Sequence, residues 1–492
     1  MSKLFKLNPS RSVAVLAVLA VVLLSACSMA PVYQQPTAPL APSFPEGTAT
    51  ATDQQWDVQN VAYLGWQEYF ADPRLTRLMD LALKNNTDLR VAVLNVEAVR
   101  AQYAIARADR LPAIGATASG SRARVAQDLS ATGRSYIGQS YSVGLGVSAY
   151  ELDLFGRVKS LSDAALNQYF AQEQVRDATQ ITLIASVAKA YFAERVAQAN
   201  MALSERALRS REESKRLTDL KFTAGVISAV EVNEAQTLIE TARADYAAAE
   251  RSREQARNAL VLLIAQPLPD DLPEPIALDK QFAERELPVG LPSEVLLKRP
   301  DVQQAEFALK AANANIGAAR AAFFPRIALT GSVGTGSADL SGLFAGGNGT
   351  WGFMPQITLP IFAWGQNKAS LDVAQLRKNI TVAQYEQAVQ SAFRDVADAL
   401  VARRTLLQQY SAQQRGDAAM AERYRLINMR FEQGVSSSLE RLDAERSSYS
   451  SQQALLQTQL TVLENRADVY KALGGGLVSK DLSQAAPVLD KP

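Results

Sequence analysis

Apolar residues recur at helical spacing through two long stretches of the chain, 157–222 and 366–431. Neither contains proline, and Gly416 is the one glycine inside them. At 1.5 Å per residue, a helix of roughly 65 residues is about 100 Å long, far longer than a globular helix. Frequent alanine, as at Ala185 and Ala188, lets neighbouring helices approach closely. The pattern therefore predicts long helices that pack side by side.

Four other segments have the β-branched, aromatic and glycine residues typical of strands. Each has about the nine to eleven residues that a tilted strand needs to cross a bilayer. Polar or glycine-rich loops, 126–133 and 337–349, lie between the paired strands. The predicted strands are 114–125, 135–149, 327–336 and 351–362.

Several landmarks occur twice, in the same order, which indicates an internal duplication. Each half reads as helix, two strands, long helix, turn and helix. Prolines 112 and 325 follow the first helix of each half. The repeated landmarks are Ala106-Arg107-Ala108 with Ala319-Arg320-Ala321, Phe155-Gly156 with Trp364-Gly365, Gly225-Val226 with Gly434-Val435, and Glu231 with Glu440.

The first 26 residues have the pattern of a lipoprotein signal peptide. Basic residues precede the apolar run 13–24, and Leu24-Ser25-Ala26 stands directly before Cys27. Small residues allow peptidase access, and the thiol accepts a diacylglycerol before cleavage. We therefore predict lipidation at Cys27, with Ser28 after it favouring sorting to the outer membrane.

Two proline clusters divide the rest of the chain. The predicted organisation is a signal peptide (1–26), an acylated, proline-rich extended tether (27–56), a first structural repeat (57–265), a proline-rich linker (266–292), a second structural repeat (293–473) and a C-terminal tail (474–492). Tyr33, Phe44 and Trp56 are candidates to pin the tether to a surface.

Composition argues against enzymatic chemistry. The chain has no histidine and a single cysteine, so the usual metal ligands and the commonest general base are missing. The glycine pairs at 144–146 and 334–336 lack the third glycine of a nucleotide-binding loop. The 51 basic and 50 acidic side chains are dispersed, which gives no nucleic-acid footprint. We expect no enzyme activity and no catalytic, cofactor-binding or metal-ligating residue.

Four strands cannot close a membrane barrel, because the smallest such barrels have about eight. A chain with four strands must therefore associate with copies of itself to remove the open edges. The alternative of a long soluble coiled-coil rod accounts for the helices but leaves the strands unexplained.

With these landmarks in view, the sequence resembles the TolC-like outer-membrane factor family, and in particular its lipid-anchored, OprM-like branch that serves RND multidrug pumps. The resemblance covers nearly the whole mature chain. The segments that carry it are Pro31-Val32-Tyr33-Gln34-Gln35-Pro36, Asp72-Pro73-Arg74-Leu75, Arg299-Pro300-Asp301-Val302, Ala311-Ala312-Asn313-Ala314 and Arg320 to Pro325.

The resemblance implies an α+β membrane protein: a homotrimer with a 12-stranded transmembrane β-barrel continued by a long periplasmic α-helical barrel. It implies a periplasmic adaptor and an inner-membrane transporter, of RND type, as partners, and outer-membrane lipid around the barrel. The expected function is a passive exit duct for drugs or other small molecules. Two alternatives remain, a type I secretion duct for polypeptides and a non-conducting structural lipoprotein.

Family members close where each long helix turns into its return helix, which corresponds here to 222–234 and 431–443. Gly225 and Gly434 stand where a positive φ lets one helix end, and Ser228 and Ser437 are candidate N-caps of the next helix. An ordinary helix turn would explain these glycines and serines equally well. The residues expected to dock the adaptor are Gly225, Val226, Ile227, Gly434, Val435 and Ser436.

Leu439 and Asp443 are four residues apart and should share a helix face, so threefold symmetry would make a ring of each. By resemblance, Leu439 matches a hydrophobic plug and Asp443 an acidic ring, while Glu231 and Glu440 match acidic tip positions. Crowded carboxylates should raise some pKa values, with Arg430 as the expected basic partner. The alternative is a pair of solvent-facing acids beside a core leucine.

The sequence departs from the family pattern at two positions near this gate. Phe431 stands where a latch tyrosine is common, and Ser436 stands where the enteric pattern has arginine. Any latch must therefore differ in detail.

Overall fold

The computed structural model describes residues 28–37, 65–282 and 293–476. The signal segment 1–26, Cys27, most of the tether and residues 477–492 of the tail lie outside the described residues. Phe44 and Trp56, two of the candidate tether pins, lie outside them as well.

The chain divides into two compact units that do not follow the predicted repeats. The strand unit comprises Met1–Thr37, Asn95–Glu173 and Gln304–Glu386, and the helical unit comprises Ala38–Leu94, Gln174–Gln303 and Gln387–Pro492. Each predicted repeat thus contributes residues to both units.

Each half of the chain has the order helix, two strands, long helix and return helix, preceded in the first half by two short helices, and the two longest helices have 67 residues each. The predicted long helices, 157–222 and 366–431, are confirmed to within one residue at each end. The elements are α1 (Trp66–Tyr69), α2 (Pro73–Asn85), α3 (Thr87–Ala108), β1 (Ile114–Val125), β2 (Tyr136–Glu151), α4 (Arg157–Thr223), α5 (Ala229–Ile264), α6 (Pro300–Ala321), β3 (Arg326–Ser337), β4 (Gly349–Thr358), α7 (Gln366–Glu432) and α8 (Ser438–Ala472).

An apolar and aromatic core holds the helical unit together. It collects side chains from α2, α4, α5 and α8, including the fully buried Leu78, Tyr191 and Ile264. Tyr191 donates a hydrogen bond of 2.7 Å to Asp72, whose carboxylate also accepts from the backbone N–H of Arg74 and so caps α2. A polar contact inside the apolar cluster therefore joins α4 to the start of α2.

Arg299 is the second buried polar anchor of this unit. Its guanidinium donates to Asp301 at 2.7 Å, to the carbonyl of Ala472 at 2.7 Å and to that of Ala392 at 3.3 Å. It joins the start of α6 to α7 and to the end of α8. The Arg299-Pro300-Asp301 segment is thus explained by packing.

The strand unit contains one antiparallel sheet in the order β1-β2-β3-β4. All four predicted strands are confirmed, but the fourth was predicted to reach residue 362 and ends at Thr358. Thr358 lies opposite Arg326, the first residue of β3, so no ladder partner remains beyond it. Pro360 also lacks the N–H that further pairing would need.

The two faces of the sheet differ in chemistry. Register places Leu145 opposite Val333 and Val333 opposite Trp351, so these side chains share one face. Trp351 and Phe353 on this face are 82% and 63% exposed. The other face carries small and polar residues, among them Ser119 and Ser142, whose hydroxyls lie 2.7 Å apart. The sheet is thus apolar on one side and polar on the other.

Two glycines allow close contact between the central strands of the sheet. Gly144 of β2 lies opposite Gly334 of β3, and a Cβ added to Gly144 would come within 2.7 Å of the Val333 carbonyl oxygen. No larger residue fits that approach without a backbone shift.

The described start of the tether, 28–37, lies along α6 within the strand unit. Asn313 donates to the carbonyl of Pro31 at 2.7 Å, Tyr33 donates to Glu306 at 3.3 Å, and Gln35 donates to Tyr385 at 3.0 Å. Burial, followed by the charge of Glu306, raises the pKa of the Tyr33 hydroxyl well above its ordinary range. Tyr33 therefore pins this segment as a neutral donor.

Within the described part of the chain, no helix combines the length and the apolarity needed to cross a membrane.

Candidate functional site: the two helix-turn tips

The first tip turn ends α4 with a glycine in the left-handed conformation. Gly225 has φ +73°, and its N–H donates to the carbonyl of Phe222 at 2.9 Å. The N–H of Val226 donates to the carbonyl of Lys221 at 3.0 Å. These two bonds form a Schellman motif, which satisfies the last carbonyls of the helix.

The second tip turn repeats this geometry at the end of α7. Gly434 has φ +75° and donates to Phe431 at 2.9 Å, while Val435 donates to Arg430 at 2.8 Å. The N–H of Ser436 also points back to the Arg430 carbonyl, at 3.3 Å. The positive φ expected at both glycines is therefore observed.

The helix that follows the first turn starts with a complete capping box. The Ser228 hydroxyl accepts from the N–H of Val230 at 3.2 Å, and the Glu231 carboxylate accepts from the Ser228 N–H at 3.1 Å and from its hydroxyl. These hydrogen bonds from Ser228 lower the pKa of Glu231. The position of Glu231 is thus explained by helix capping.

The second return helix is capped by half of such a box. Ser437 accepts from the N–H of Glu440 at 3.2 Å, while no described residue hydrogen-bonds to the Glu440 carboxylate. The two acids that sequence reasoning paired therefore differ, since Glu440 keeps its carboxylate available to solvent or to a neighbouring chain.

Most, but not all, of the predicted docking residues are exposed. Val226 is 73% exposed and Val435 is also largely exposed, whereas Ile227 is half-buried. Ser436 was expected at the exposed apex and is buried instead. Its N–H points back to the Arg430 carbonyl, and its hydroxyl is buried without a hydrogen-bond partner among the described residues. The exposed apolar apex therefore consists of the two valines beside the two glycines.

Leu439 and Asp443 line the same groove, as their spacing predicts. The groove has a volume of about 310 Å³ and lies between α4, α5 and α8. Leu439 is 75% exposed, so it is not a core leucine in the single chain. Glu231, Glu440 and Arg430 do not line this groove. The structure thus joins the plug and ring candidates on one face and separates them from the other predicted gate residues.

The basic partner of Asp443 differs from the one expected. Asp443 accepts from Arg423 at 3.0 Å and lies 3.4 Å from Arg446, so the expectation of Arg430 as its partner within the chain is wrong. Arg430 lies two residues from the end of α7, whereas Asp443 lies more than one turn into α8, level with residues farther down α7. The hydrogen bond from Arg423 lowers the pKa of Asp443.

Phe431, which replaces the latch tyrosine of the family, contacts an arginine from the return helix. The guanidinium carbon of Arg441 lies 4.8 Å from the centre of the Phe431 ring, a cation–π distance. Arg441 also donates to the Ser214 hydroxyl of α4 at 3.3 Å. Arg441 therefore links both long helices to α8.

A second contact between α4 and α8 is a largely buried ion pair. Arg211 lies 3.0 Å from Glu445, and their side chains are 14% and 13% exposed. Losing one partner of such a pair leaves an uncompensated charge. Sequence reasoning missed Arg211, Arg423 and Arg441, because their partners are ten or more residues away and lie on other helices, so no local spacing marks them.

This fold is that of outer-membrane channels with long helices, and the comparisons agree. The model of the outer membrane efflux protein family matches residues 78–266 and 291–475. The chain belongs to the outer membrane efflux protein family.

Relatives cover almost its whole length. It is 50% identical over 468 residues to the toluene efflux pump outer membrane protein TtgC of Pseudomonas putida, covering 95% of this chain and 96% of that protein. It is 45% identical over 465 residues to the outer membrane protein OprJ of Pseudomonas aeruginosa, covering 94% and 95%. The solved open state of the Neisseria gonorrhoeae MtrE outer membrane channel matches with a TM-score of 0.83 at 53% identity, covering 92% and 99%.

Proposed function

We propose that the chain is the passive exit duct of a tripartite efflux pump and that it conducts drugs or other small molecules without catalysing a reaction. Its proposed partners are a periplasmic adaptor and an inner-membrane transporter of RND type. The relatives are named as outer membrane proteins of toluene and antibiotic efflux pumps, which favours efflux over polypeptide secretion.

The two-faced sheet is the observation that carries this proposal. Trp351, Phe353 and Val333 form an exposed apolar face that would be costly in water but is stable against lipid. The opposite face, with Ser119 and Ser142, suits an aqueous lumen. A rod-like structural lipoprotein would have no use for such a division.

The edges of the sheet support assembly into a trimer. Neither β1 nor β4 has a second partner among the described residues, so each presents unpaired backbone groups that a bilayer does not tolerate. Three copies, joined β4 to β1, give a closed barrel of 12 strands, and the helices of the three chains then form the periplasmic barrel.

Disulfide cross-linking tests the trimer. With Cys27 acylated, the mature chain carries no other thiol. Ser119→Cys on β1, combined in turn with a cysteine at each position of β4, should give a disulfide-linked trimer at one register in native membranes. The same scan along β2, an interior strand, is the control. Monomers at every β4 position would contradict the proposed barrel.

We propose that the rings of Leu439 and Asp443 form a gate at the narrow end of the lumen. Both side chains share the tip groove, and Leu439 is mostly exposed in the single chain, as a plug that meets its symmetry mates must be. Glu440, whose carboxylate accepts no hydrogen bond from the described residues, adds negative charge nearby. At the apices, Glu231 adds a negative charge and Arg430 a positive one.

Single-channel recording in planar bilayers tests the duct and the gate together. Leu439→Ala with Asp443→Ala should raise conductance and weaken cation selectivity. Gln413→Ala, on α7 and outside the groove, is a control that should leave both unchanged. Absence of any conductance for the wild type would refute the duct, whereas wild-type values for the double variant would refute the gate alone.

The exposed apices, Gly225-Val226 and Gly434-Val435, are the proposed docking surface for the adaptor, with the half-buried Ile227 beside them. Val226→Asp with Val435→Asp should abolish drug resistance without lowering the amount of trimer. Leu129→Asp, an exposed leucine in the loop after β1, is the matched control. Unchanged resistance in the double valine variant would remove this surface from the proposal.

Lipidation at Cys27 is proposed from the signal alone, since that residue lies outside the described part of the structure. Cys27→Ser should abolish acylation while the strands still insert, because the barrel crosses the membrane by itself. Mass spectrometry that finds no lipid on the wild-type N-terminus, together with processing insensitive to globomycin, would refute it.

A further inference from the structure

Four arginines line a cavity in the helical unit that shares no lining residue with the tip groove. Arg74 comes from α2, Arg195 from α4, and Arg253 and Arg257 from α5. The cavity has a volume of about 300 Å³, and residues 268–275 of the proline-rich linker form its remaining wall. Nothing in the proposed conduction path or gate uses these residues.

The guanidinium groups of this arginine cavity have more donors than the protein satisfies. The Nε atoms of Arg195 and Arg253 are buried and meet no acceptor among the described residues. The hydrogen bonds of Arg195 and Arg74 are long: Arg195 donates through Nη1 to Gln198 at 3.5 Å and through Nη2 to the carbonyl of Ile276 at 3.4 Å, and Arg74 donates to that of Pro273 at 3.3 Å. Arg253 pairs through Nη1 with Glu254 at 3.2 Å, which leaves its Nε edge free. Buried donors without acceptors are rare and point to a missing partner.

Charge in the cavity narrows the class of that partner. Glu194, Asp270 and Glu274 also line it, but in the described structure none of the three forms an ion pair with the arginines. With Glu254, which pairs with Arg253, four carboxylates stand against the four guanidinium groups, so these groups carry no net charge. The three unpaired carboxylates repel a polyanion, so the cavity suits a singly charged anion better than a multiply charged one.

The geometry of the N–H donors narrows the class of the missing partner further. Arg253, whose Nε and Nη2 have no partner among the described residues, presents two parallel N–H groups, which match the two oxygens of a carboxylate or of a phosphodiester, and Arg195 adds the single N–H of its Nε. Chloride cannot use that geometry. A volume of about 300 Å³ accommodates such a group with a few attached atoms.

We propose that the arginine cavity is a binding site for a singly charged oxyanion, a carboxylate or a phosphodiester group, held by the guanidinium groups of Arg195 and Arg253. Arg74 and Arg257 add long-range attraction. The site is independent of conduction, so it stands or falls separately from the exit-duct function.

Saturation-transfer NMR on the purified full chain in detergent tests the site, with acetate and dimethyl phosphate as probes. Both probes are monoanions with methyl signals, and sodium chloride keeps the ionic strength constant. Saturable transfer to at least one probe is expected. Tighter binding of acetate identifies a carboxylate as the natural group, and tighter binding of dimethyl phosphate identifies a phosphodiester. Absence of saturable transfer to both overturns the proposal.

Variants locate the binding. Arg195→Gln with Arg253→Gln should weaken binding at least tenfold, since each charge-assisted hydrogen bond contributes roughly one order of magnitude. Arg257→Gln tests the site with little risk to folding, because Arg257 is exposed and forms no hydrogen bond or ion pair with the described residues; a loss of about threefold is expected. Arg415→Gln, an exposed arginine on α7, is the matched control. Affinities in Arg257→Gln and the double variant equal to that of Arg415→Gln would overturn the assignment.

Discussion

Replacing glycine with alanine should have opposite effects on local stability at two positions in the second half of α7. Gly434 closes the helix at φ +75°, whereas Gly416 lies inside it with helical geometry. A Cβ added at either glycine meets no atom within 4 Å. Steric clashes therefore contribute nothing at either position. The backbone conformation alone decides whether the substitution stabilises or destabilises the helix.

The magnitudes follow from the conformations. An alanine held in the left-handed region costs about 1–2 kcal/mol, partly offset by about 0.4–1 kcal/mol from the lower entropy of its unfolded state. The net loss for Gly434→Ala is about 1 kcal/mol, or roughly a fivefold increase in local opening. Gly416→Ala should instead stabilise α7 by about 0.5–1 kcal/mol, which makes opening roughly two- to fivefold rarer.

Hydrogen exchange followed by mass spectrometry resolves the two segments. The segment 430–437 contains the Gly434 and Val435 N–H groups that close the Schellman motif, and it should exchange faster in Gly434→Ala. The segment around residue 416 should exchange more slowly in Gly416→Ala. Gly225→Ala, at φ +73°, should reproduce the first effect in the other tip. Changes of the same sign at 416 and 434, or no change at 434, would refute the conformational origin.

Three further predictions concern polar contacts. Arg299→Lys keeps the charge but loses the fork that reaches the carbonyls of Ala392 and Ala472, so urea unfolding should show a loss of about 2–4 kcal/mol; a loss below about 1 kcal/mol would contradict this role. Tyr191→Phe leaves the buried Asp72 carboxylate without its hydroxyl donor and should cost about 1–3 kcal/mol by the same measurement, whereas a neutral effect would argue against the contact. Because the hydrogen bond from Arg423 lowers the pKa of Asp443 below its ordinary value, the carboxylate keeps its charge in weak acid, and cation selectivity should be unchanged between about pH 7 and 5. A midpoint near pH 6 in the reversal potential would show that repulsion between the three chains outweighs Arg423.

The helices and strands could be read from the sequence because their limits are marked locally. The α4 and α7 helices stop at glycines that adopt positive φ, so the predicted ends, 222 and 431, differ from Thr223 and Glu432 by one residue. The predicted β4 was too long because the strand ends where its partner β3 begins, at Arg326. Such pairing across the sheet cannot be recognised from the sequence of β4 alone.

The candidate site was harder to predict because its chemistry lies between helices. The shared face of Leu439 and Asp443 followed from spacing within α8. The partner of Asp443 could not be predicted in this way. The packing of α7 against α8 decides which turn of α7 lies beside Asp443. Glu231 shows the converse problem: a local cap fully explains an acid whose position had suggested a gate.

The strand order has a consequence for how the chain reaches its native state. About 10 residues separate the paired ends of β1 and β2, whereas about 176 separate Glu151 of β2 from its partner Ala328 of β3. Closing the longer loop costs about 2.5 kcal/mol more in chain entropy, from the logarithmic dependence on loop length. Each hairpin can therefore fold early on its own, and pulse-labelling should show protection between β2 and β3 last. The duplication thus gives the chain two quick local steps and one slow non-local step that joins them.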